Sequence, residues 1–391
     1  MIRACLPVGS WYGGWGVAGY ALLRELSAMT QVQYLGGPLD PRSVHEPLDF
    51  ELCRSLMPPG VTPTTRPAGG RFDGPVFQST LDNDLKPWRP DIRGDFNLGY
   101  TFFEQDLRVI QHAAAAHRNF DAMAAGCAWC AEKLREAGFP KTTVVLQGVD
   151  EQIFFPMTAA RQYFRDRFVV FSGGKLELRK GQDLVIRAFS VLQQRHRDVL
   201  LVNMWTNPWR ESLATMSGSP HIRMVPHRDD WGAFITALLS ANGVNVAGVL
   251  TLGRYPNSTA ARIYHNSDVG LFPNRCEGGT NLVLCEYMAC GKPAIASFNS
   301  GHIDILTDAN SIPLRTQPPV TISDKDGPCG RWNEPSLDET IERLEWAYNH
   351  RDDLNRIGRQ AGQDMSKLTW RKAAAEFYAL LTQQPPTQHP L

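Results

Sequence analysis

The sequence lacks an excess of charge of either sign. Its 40 lysine and arginine residues balance 40 aspartate and glutamate residues, which gives a formal net charge of +0 at pH 7. A surface without a field of one sign does not attract nucleic acid or acidic lipid over a distance. We therefore expect no nucleic-acid partner, and any anionic ligand has to be bound by local groups.

The sequence also lacks long apolar segments and a leader-like start. It has no run of about 18 apolar residues. Its first residues do not combine a basic start, an apolar stretch and a small-residue cleavage site. We expect a cytoplasmic protein, with peripheral contact at the inner face of the membrane left open.

A disulfide framework and a cysteine metal site are missing as well. The eight cysteines are scattered, and several lie in apolar segments, as reduced buried thiols do. Cys127 and Cys130, in "CAWC", have redox spacing. They lack a thioredoxin-like context and a second cysteine pair for zinc. We expect buried thiols and no disulfides.

The sequence does contain an alternation of strand-like and helical runs. The strand-like runs include "MIRACLPV", "RFVVFSGG", "VLLVNMW", "DVGLFP" and "PAIAS", and the helical runs include "VAGYALLREL", "DLVIRAFSVLQQRH" and "NLVLCEYMAC". Apolar strands separated by amphipathic helices are typical of parallel sheets covered on both faces. Because 391 residues exceed one ordinary core, we expect an α/β protein of two doubly wound, Rossmann-like domains facing a central cleft.

The domain boundary is expected close to Ile153. There the chain passes a Gly-Val-Asp turn and a Phe-Phe-Pro segment, and the alternation restarts near Arg167. Residues 1–152 are assigned to the first domain and 153–370 to the second.

Two segments, Thr206 to Trp231 and Ile312 to Pro335, carry no clear pattern. After the second of these, Ser336 and Glu339 have capping-box spacing and predict the start of a helix. The final "WRKAAAEFYALL" predicts one more helix, followed by a loose tail.

The segment "NRCEGGTNLVLCEYMACGKPAIAS", residues 274–297, holds two glutamates around a glycine pair. A helix is expected to begin near Thr280 or Asn281, which are good cap residues, and to stop at Gly291 before Lys292. Its N-terminus presents unpaired N–H groups, and the glycine pair Gly278–Gly279 would let an anion approach the backbone.

The two glutamates would then flank a bound phosphate. Glu277 in the loop and Glu286 in the helix can each accept hydrogen bonds from hydroxyls, and a phosphate between two polyols describes a nucleotide sugar. The same spacing also fits an ordinary strand-loop-helix unit with two solvated glutamates.

A basic trio follows the strand "RFVVFSGG". Lys175, Arg179 and Lys180 lie where open α/β sheets bind ligands, and they could neutralise a diphosphate without metal. We expect Lys175 and Lys180, which flank the loop, to turn inward. A solvated charge run is the alternative.

These segments together resemble the retaining glycosyltransferases of family 4, which have the GT-B fold. That family pairs a segment like "GGKLELRKG" with one like "EGGTNLVLCEYMACGKPAIA", in this order. The resemblance covers most of the chain, including "LGRYPNSTAARIYHNSDVGLFP", and is strongest in the second half. It implies that the last helix, within 371–391, crosses back to the first domain.

The family's Arg and Lys that contact the donor diphosphate correspond to Lys175 and Lys180, and its two glutamates correspond to Glu277 and Glu286. Eight residues separate these glutamates where the family has seven, so Glu277 is displaced or Gly278 takes its place. Lysine at 175 keeps the charge of the expected arginine but loses its bidentate geometry. The resemblance implies a donor contact with Glu277 and a ribose contact with Glu286.

The expected catalytic residues are Lys175, Lys180, Glu277 and Glu104. The expected donor-binding residues are Gly14, Gly16, Gly174, Lys175, Lys180, Gly253, Arg254, Glu277, Gly278, Gly279, Thr280, Asn281, Leu282 and Glu286.

The rival interpretation is an NAD-dependent oxidoreductase. Gly14, Gly16 and Gly19 form a dinucleotide fingerprint between a strand and a helix, and Asp40 follows near a second strand. The preceding loop is long, however, and Trp15 occupies the tight turn where a pyrophosphate should approach. A plain turn with packed tryptophans is a third interpretation.

Two acidic features in the first domain remain. Asp82 and Asp84, in "LDNDL", have the Asp-x-Asp spacing of a metal site, although a solvated turn explains them more simply. Glu104 follows a strand and would face the cleft, where it could orient an acceptor hydroxyl; a surface carboxylate is the alternative.

The resulting hypothesis is retaining transfer of a sugar from a UDP- or GDP-sugar to a glycan, lipid-linked or small-molecule acceptor. No cofactor and no metal are expected. A subunit that binds nucleotide sugar without transferring it is kept as a further alternative.

Overall fold

The computed structural model describes residues 1–8, 13–40, 47–80, 83–157 and 161–382. The predicted Asp82 and most of the C-terminal tail lie outside these ranges. Within them, no helix is both long enough and apolar enough to cross a membrane.

The first domain is built around a parallel sheet of six strands, in the order β2-β1-β4-β6-β7-β8, and β3 pairs separately with β5. In chain order its elements are β1 (Ile2–Cys5), α1 (Gly14–Met29), β2 (Val32–Tyr34), α2 (Pro47–Ser55), β3 (Gly70–Arg71), β4 (Pro75–Ser79), β5 (Ile92–Arg93), β6 (Phe96–Thr101), α3 (Asp106–Ala116), β7 (Ala122–Ala125), α4 (Ala128–Glu136) and β8 (Thr142–Val144).

The second domain repeats this plan with a parallel sheet in the order β11-β10-β9-β12-β13-β14 and an antiparallel hairpin of β15 and β16. Its elements, followed by the last helix of the chain, are β9 (Phe168–Lys175), α5 (Gln182–Arg195), β10 (Val199–Thr206), α6 (Arg210–Ala214), α7 (Trp231–Ala241), β11 (Val249–Thr251), α8 (Asn257–His265), β12 (Val269–Phe272), α9 (Leu282–Ala289), β13 (Ala294–Ser297), β14 (Ile312–Leu314), β15 (Pro319–Asp324), β16 (Gly327–Asn333), α10 (Leu337–Asn349), α11 (Arg351–Met365) and α12 (Trp370–Thr382).

Strand β9 shows why the apolar runs form buried parallel strands. Successive side chains of a strand point to opposite faces. Phe168 and Val170 belong to the core on one face of the sheet, whereas Val169 and Phe171 belong to the core on the other. Both faces are covered by helices, so a continuous apolar run is required, as predicted.

Helix α12 crosses back to the first domain, which confirms that prediction. It packs against α1 and β4. The ring of Phe377 lies 4.5 Å from that of Phe77 and 4.7 Å from that of Tyr100, measured between centroids. The helix therefore completes the core of a domain whose other elements lie more than 200 residues earlier in the chain.

The chain passes between the domains twice, and the two passages lie side by side. Val149 and Thr369 form an isolated parallel bridge, and the Val149 amide donates to the Leu368 carbonyl at 2.7 Å. A Cβ on Gly148 would collide with the backbone of Thr369 and Trp370. Close packing of these two segments therefore requires glycine at position 148.

The predicted start and end residues of α9 and α10 are partly confirmed. Gly291 has a φ of 73°, as expected at the end of a helix, and the Ser336 side chain accepts from the Glu339 amide. Asn281 lies at the N-cap of α9, but its φ is 64° and its side chain makes no capping bond. The expected side-chain cap is therefore wrong.

The segment from Ile312 to Pro335, which carried no clear pattern, contains β14 and the β15–β16 hairpin. Val320 and Ile322 alternate with polar residues, and Lys325–Asp326 form the two-residue hairpin turn between the paired residues Asp324 and Gly327. The eight cysteines are all buried and free of disulfides.

Candidate functional site

A cleft of about 1610 Å³ lies between the two domains. Sites for a single small ligand usually measure roughly 300 to 1000 Å³, so this cleft has room for two. It is lined from both domains, for instance by Gly14 and Glu104 of the first and by Lys180 and Glu286 of the second.

Glu277 is the centre of a buried charge cluster on the wall formed by the second domain. It is only 4% exposed. Its carboxylate lies 2.6 Å from Lys180 Nζ and 3.0 Å from Arg179 Nη1, and it also accepts from the Asn274 amide. Burial opposes ionisation of Glu277, but the positive charges of Arg179 and Lys180 outweigh it and hold its pKa well below the ordinary value.

Arg179 turns inward together with Lys180, which the sequence did not favour; the expected Lys175 also lines the cleft. The Arg179 guanidinium contacts Glu177 at 2.7 Å and Glu277 at 3.0 Å, both in the second domain, and Glu104 of the first domain at 3.4 Å. Burial alone would lower the pKa of Arg179, but these carboxylates raise it well above its ordinary value. Arg179 therefore carries a fixed positive charge across the cleft.

Lys175 lies nearer the rim of the cleft. Its side chain is 39% exposed, and its ammonium lies 3.2 Å from Glu177 and 5.1 Å from the ring centre of Trp209. Trp209 itself is 54% exposed. Lys175 thus faces the cleft beside the exposed ring of Trp209. Lys180, in contrast, is buried, and burial lowers the pKa of its ammonium group although the negative charge of Glu277 opposes this effect.

Gly278 serves the contact between domains and does not line the cleft. A Cβ there would lie 2.5 Å from the Phe103 amide nitrogen and closer still to the Phe103 carbonyl oxygen. The thiols of Cys127 and Cys130 donate to the Gly278 carbonyl at 3.2 and 3.1 Å. The expected approach of an anion to this glycine is therefore wrong, and "CAWC" supplies buried thiols at the domain interface.

The other residues of this loop separate into two groups. Gly279, Asn281 and Leu282 line the cleft. Thr280 is fully buried, and its hydroxyl oxygen has no hydrogen-bond partner in the part of the chain that the structure describes. Its predicted role in donor binding is not supported, because the side chain does not reach the cleft.

Asn281 is held by a buried histidine. The Nδ1 atom of His302 lies 3.0 Å from the Ser297 carbonyl, so Nδ1 carries the proton. Burial lowers the pKa of His302 to about 4, and its neutral Nε2 accepts from the Asn281 amide at 3.3 Å. This contact fixes the Asn281 side chain at the start of α9.

Glu286 is a buried carboxyl that pairs with no cation among the described residues. It is 8% exposed and lines the cleft. Burial raises its pKa to about 8, although a hydrogen bond with Tyr264 lowers it, and the negative charge of Asp150 adds to the rise. A strongly shifted carboxyl in a cleft indicates a ligand-binding or catalytic role, and a donor hydroxyl would stabilise its ionised form.

Replacing Glu286 with glutamine is expected to change how stability depends on pH. The folded-state pKa of Glu286, about 8, lies above its reference value of 4.5. The folded state therefore binds an extra proton between these values, so its contribution to stability is complete near pH 4 and is lost as the pH rises through 8. We expect the free energy of unfolding, measured by urea denaturation, to fall by on the order of 3 kcal/mol from pH 5 to 8.5 relative to Glu286→Gln. Parallel pH profiles of the two proteins would contradict the shifted pKa.

The start of α1 faces the same cleft. Gly14 and Gly16 line it, and a Cβ on Gly14 would lie 3.7 Å from Leu282 at the start of α9. Helix α1 begins at Gly14, so the fingerprint glycines lie inside the helix and not in a tight turn before it. Trp15 packs edge-on to Phe102, with ring centroids 4.6 Å apart. This geometry contradicts the dinucleotide fingerprint.

The remaining predicted donor residues also line the cleft. Gly174, at the end of β9, has a φ of 114°, which favours glycine. Gly253 and Arg254 follow β11 and are exposed. The structure thus collects twelve of the fourteen predicted donor residues around one space: Gly14, Gly16, Gly174, Lys175, Lys180, Gly253, Arg254, Glu277, Gly279, Asn281, Leu282 and Glu286.

Glu104 lies in the loop after β6, on the opposite wall. Its carboxylate contacts Arg179, and its amide donates to Asn83 Oδ1 at 3.0 Å. Asp84, the second aspartate of "LDNDL", instead pairs with Arg108 at 2.9 Å and Lys86 at 2.8 Å. The described residues contain no group of three or more His, Cys, Asp or Glu side chains placed to hold a metal ion.

Sequence reasoning missed several residues that line the cleft with these groups, among them Arg179 as an inward residue, Trp209 and Trp332. Arg179 could have been predicted, because it is a basic residue directly beside Lys180. The two tryptophans lie in the segments that carried no clear pattern, so no sequence signal placed them.

Comparison with known proteins supports this architecture. Residues 166–319 match the family described as "Glycosyl transferases group 1". A GDP-mannose-dependent alpha-(1-6)-phosphatidylinositol monomannoside mannosyltransferase of Mycolicibacterium smegmatis is 28% identical over 176 residues, which cover 42% of this chain and 40% of that protein. The chain thus aligns with less than half the length of this curated relative.

Solved structures agree over nearly the whole chain. Sucrose-phosphate synthase from Thermosynechococcus elongatus has a TM-score of 0.69 at 14% identity, and the match covers 98% of both chains. HepE of Anabaena, solved in complex with UDP and glucose, has a TM-score of 0.62 at 15% identity, with 97% of this chain and 99% of that chain covered. The chain has the GT-B fold, and its match to glycosyl transferases group 1 lies in the second domain.

Proposed function

We propose that this protein is a retaining glycosyltransferase of family 4, which moves a sugar from a nucleoside diphosphate sugar to an acceptor hydroxyl. The observation that carries the proposal is the convergence of Arg179 and Lys180 on Glu277, beside the start of α9. Glu286 lines the same cleft as a buried carboxyl that can accept from the hydroxyls of a ribose.

The main contribution to catalysis comes from charge. When the bond between the anomeric carbon and the diphosphate oxygen breaks, negative charge develops on the leaving diphosphate. Lys175, Arg179 and Lys180 line the cleft and can stabilise that charge. From these three cations we infer a transfer that does not depend on a metal.

The configuration at the anomeric carbon is retained because the acceptor attacks from the same face from which the diphosphate departs. The acceptor oxygen forms a bond to the anomeric carbon, and its proton moves to the departing phosphate oxygen. No separate base is then required on the opposite face. We expect Glu104, which lines the cleft and contacts Arg179, to orient the acceptor hydroxyl, and closure of the domains to exclude water.

The donor nucleosides to test first are uridine and guanosine. The relative from Mycolicibacterium smegmatis is named for GDP-mannose, and HepE was solved with UDP. The acceptor is proposed to be a glycan, a lipid-linked sugar or a small molecule bound against the first domain.

A thermal-shift panel of UDP, GDP, ADP and NAD in EDTA tests the proposal. A ligand that binds only the folded state stabilises it by about 2.7 kcal/mol at 100 times its dissociation constant, so one nucleoside diphosphate is expected to raise the Tm by several degrees without metal. Stabilisation by NAD alone would favour an oxidoreductase. No shift with any of the four ligands would contradict nucleotide-sugar binding.

Replacing Lys180 with alanine is expected to weaken binding of the stabilising nucleoside diphosphate by about 10- to 100-fold, because a charge-assisted hydrogen bond to phosphate is lost. Turnover of the nucleotide sugar should fall with it. Lys367→Ala, at an exposed lysine that pairs with Asp364 on α11, is the matched control and should leave affinity unchanged. Normal turnover in Lys180→Ala would remove this residue from the proposed mechanism.

A further inference from the structure

The β15–β16 hairpin belongs to the second domain but packs against the first. It contacts α3, whose N-terminal end follows the loop that carries Glu104. Asp324 and Trp332 of the hairpin also line the cleft. The hairpin is therefore a part of the donor domain that reaches the acceptor wall.

An ion pair anchors the hairpin to the start of α3. The backbone amide of Arg331 donates to Asp106 Oδ1 at 2.9 Å, and its guanidinium lies 2.6 Å from Asp106 Oδ2. Asp106 is only 1% exposed. A second pair joins Arg108 to Asp324 at 2.6 Å. Because Asp106 is buried, removal of Arg331 would leave its carboxylate without this cation.

The hairpin also holds the backbone beside the candidate catalytic carboxylate. The indole nitrogen of Trp332 donates to the Glu104 carbonyl at 2.8 Å. A Cβ on Gly330 would lie 3.0 Å from the Gln105 Cα and 3.1 Å from the Glu104 carbonyl oxygen. The strand thus packs directly on residues 104 and 105.

Glu104 is consequently fixed by both domains. Asn83 of the first domain accepts from its amide, whereas Trp332 and Arg179 of the second domain contact its carbonyl and its carboxylate. The contacts from the second domain exist only when the domains are together. The position of Glu104 therefore depends on domain closure.

We propose that Trp332 and Arg331 are positioning residues that act through Glu104. When the domains close, the hairpin sets the Glu104 backbone and so places its carboxylate against Arg179 and the acceptor. Displacements of about 1 Å at a reacting group can cost a hundredfold in rate, so a hydrogen bond to the backbone at this point has a large effect on turnover. This inference rests on the proposed transferase function.

A double-mutant cycle between Trp332 and Glu104 tests the inference. Its probes are the nucleoside diphosphate selected by the thermal panel and the corresponding nucleotide sugar, with release of the diphosphate to water as the activity. We expect Trp332→Phe and Glu104→Gln each to lower kcat about tenfold and to change the Kd of the nucleoside diphosphate less than twofold. The double variant should be no slower than Glu104→Gln alone. The proposal would be overturned if the losses of kcat in the two single variants multiplied in the double variant. It would also be overturned if affinity for the nucleoside diphosphate fell as much as kcat.

Two further variants control for folding. Arg331→Lys keeps the charge at Asp106 and should retain more activity than Arg331→Ala, which a general loss of folding would not predict. Lys325→Ala changes the exposed turn of the same hairpin, where the lysine pairs with Asp326, and should match the wild type. Activity lost in Lys325→Ala to the same extent would overturn the specific role of Trp332.

Hydrogen exchange separates a failure of this inference from a failure of the proposed function. The amides of Glu104 and Gln105 both donate to Asn83, and we expect them to exchange about tenfold faster in Trp332→Phe, with the amides of β9 unchanged. This readout needs no substrate. If the wild type binds no nucleoside diphosphate, the transferase proposal fails, but unchanged exchange at these two amides would still refute the hairpin contact.

Discussion

Replacing Arg179 with alanine is expected to lower the free energy of unfolding by about 3 to 5 kcal/mol and to reduce sugar transfer at least a hundredfold. The guanidinium contacts the carboxylates of Glu104, Glu177 and Glu277. Removal of one partner of a buried ion pair costs about this much, because the remaining charge stays buried without its counterion. Urea denaturation at pH 7 and the rate of diphosphate release measure the two effects.

The control for this variant is Arg356→Ala. Arg356 pairs with Asp353 on α11, and its side chain is 62% exposed. Pairs of this kind contribute at most about 1 kcal/mol, so little change is expected. Arg179→Lys should recover part of the stability but not the paired contacts of the planar group. If Arg179→Ala were as stable as the Arg356 control, the cluster would not be a buried network.

Replacing Gly278 with alanine is expected to push the two domains apart where Gly278 meets Phe103. The added Cβ would meet the amide nitrogen and the carbonyl oxygen of Phe103, which are backbone atoms and cannot move alone. Overpacking of this kind costs about 1 to 3 kcal/mol. Because Gly278 directly follows Glu277, we expect turnover to fall about 10- to 100-fold along with a lower Tm.

Gly218→Ala is the matched control. A Cβ there would lie 3.6 Å from a methyl group of Leu178, an ordinary contact. The Tm of this variant should match that of the wild type, and both variants can be compared by thermal unfolding and by diphosphate release. Full activity in Gly278→Ala would show that the domains tolerate a wider spacing here. Glycine would then not be required at position 278.

The fold was largely predictable because its signals are local and repeated. The apolar run at Phe168–Lys175 becomes β9, and the helical run before Gly291 becomes α9. Resemblance to a known family added the position of α12, which no local pattern specifies. The hairpin was missed because its first strand is exposed at several positions and its sequence is broken by Pro and Gly.

The sequence predicted most residues of the site, but it was less successful in predicting which way their side chains point. Lys175, Arg179 and Lys180 were recognised together. Arg179 and Lys180 lie in the one-turn 3₁₀-helix Leu178–Lys180, whereas Lys175 is the last residue of β9. The role of Gly278 depends on Phe103, which lies 175 positions earlier in the sequence. The spacing of residues within the motif therefore could not predict that contact.

The paired passages at Val149 and Thr369 limit how the cleft can open. The two segments share a backbone hydrogen bond from Val149 to Leu368 and pack closely at Gly148. Moving one domain straight away from the other would break that bond and expose this packed backbone. We infer that entry of a donor and release of a product occur by rotation about this pair of segments, which together serve as one hinge between the two domains.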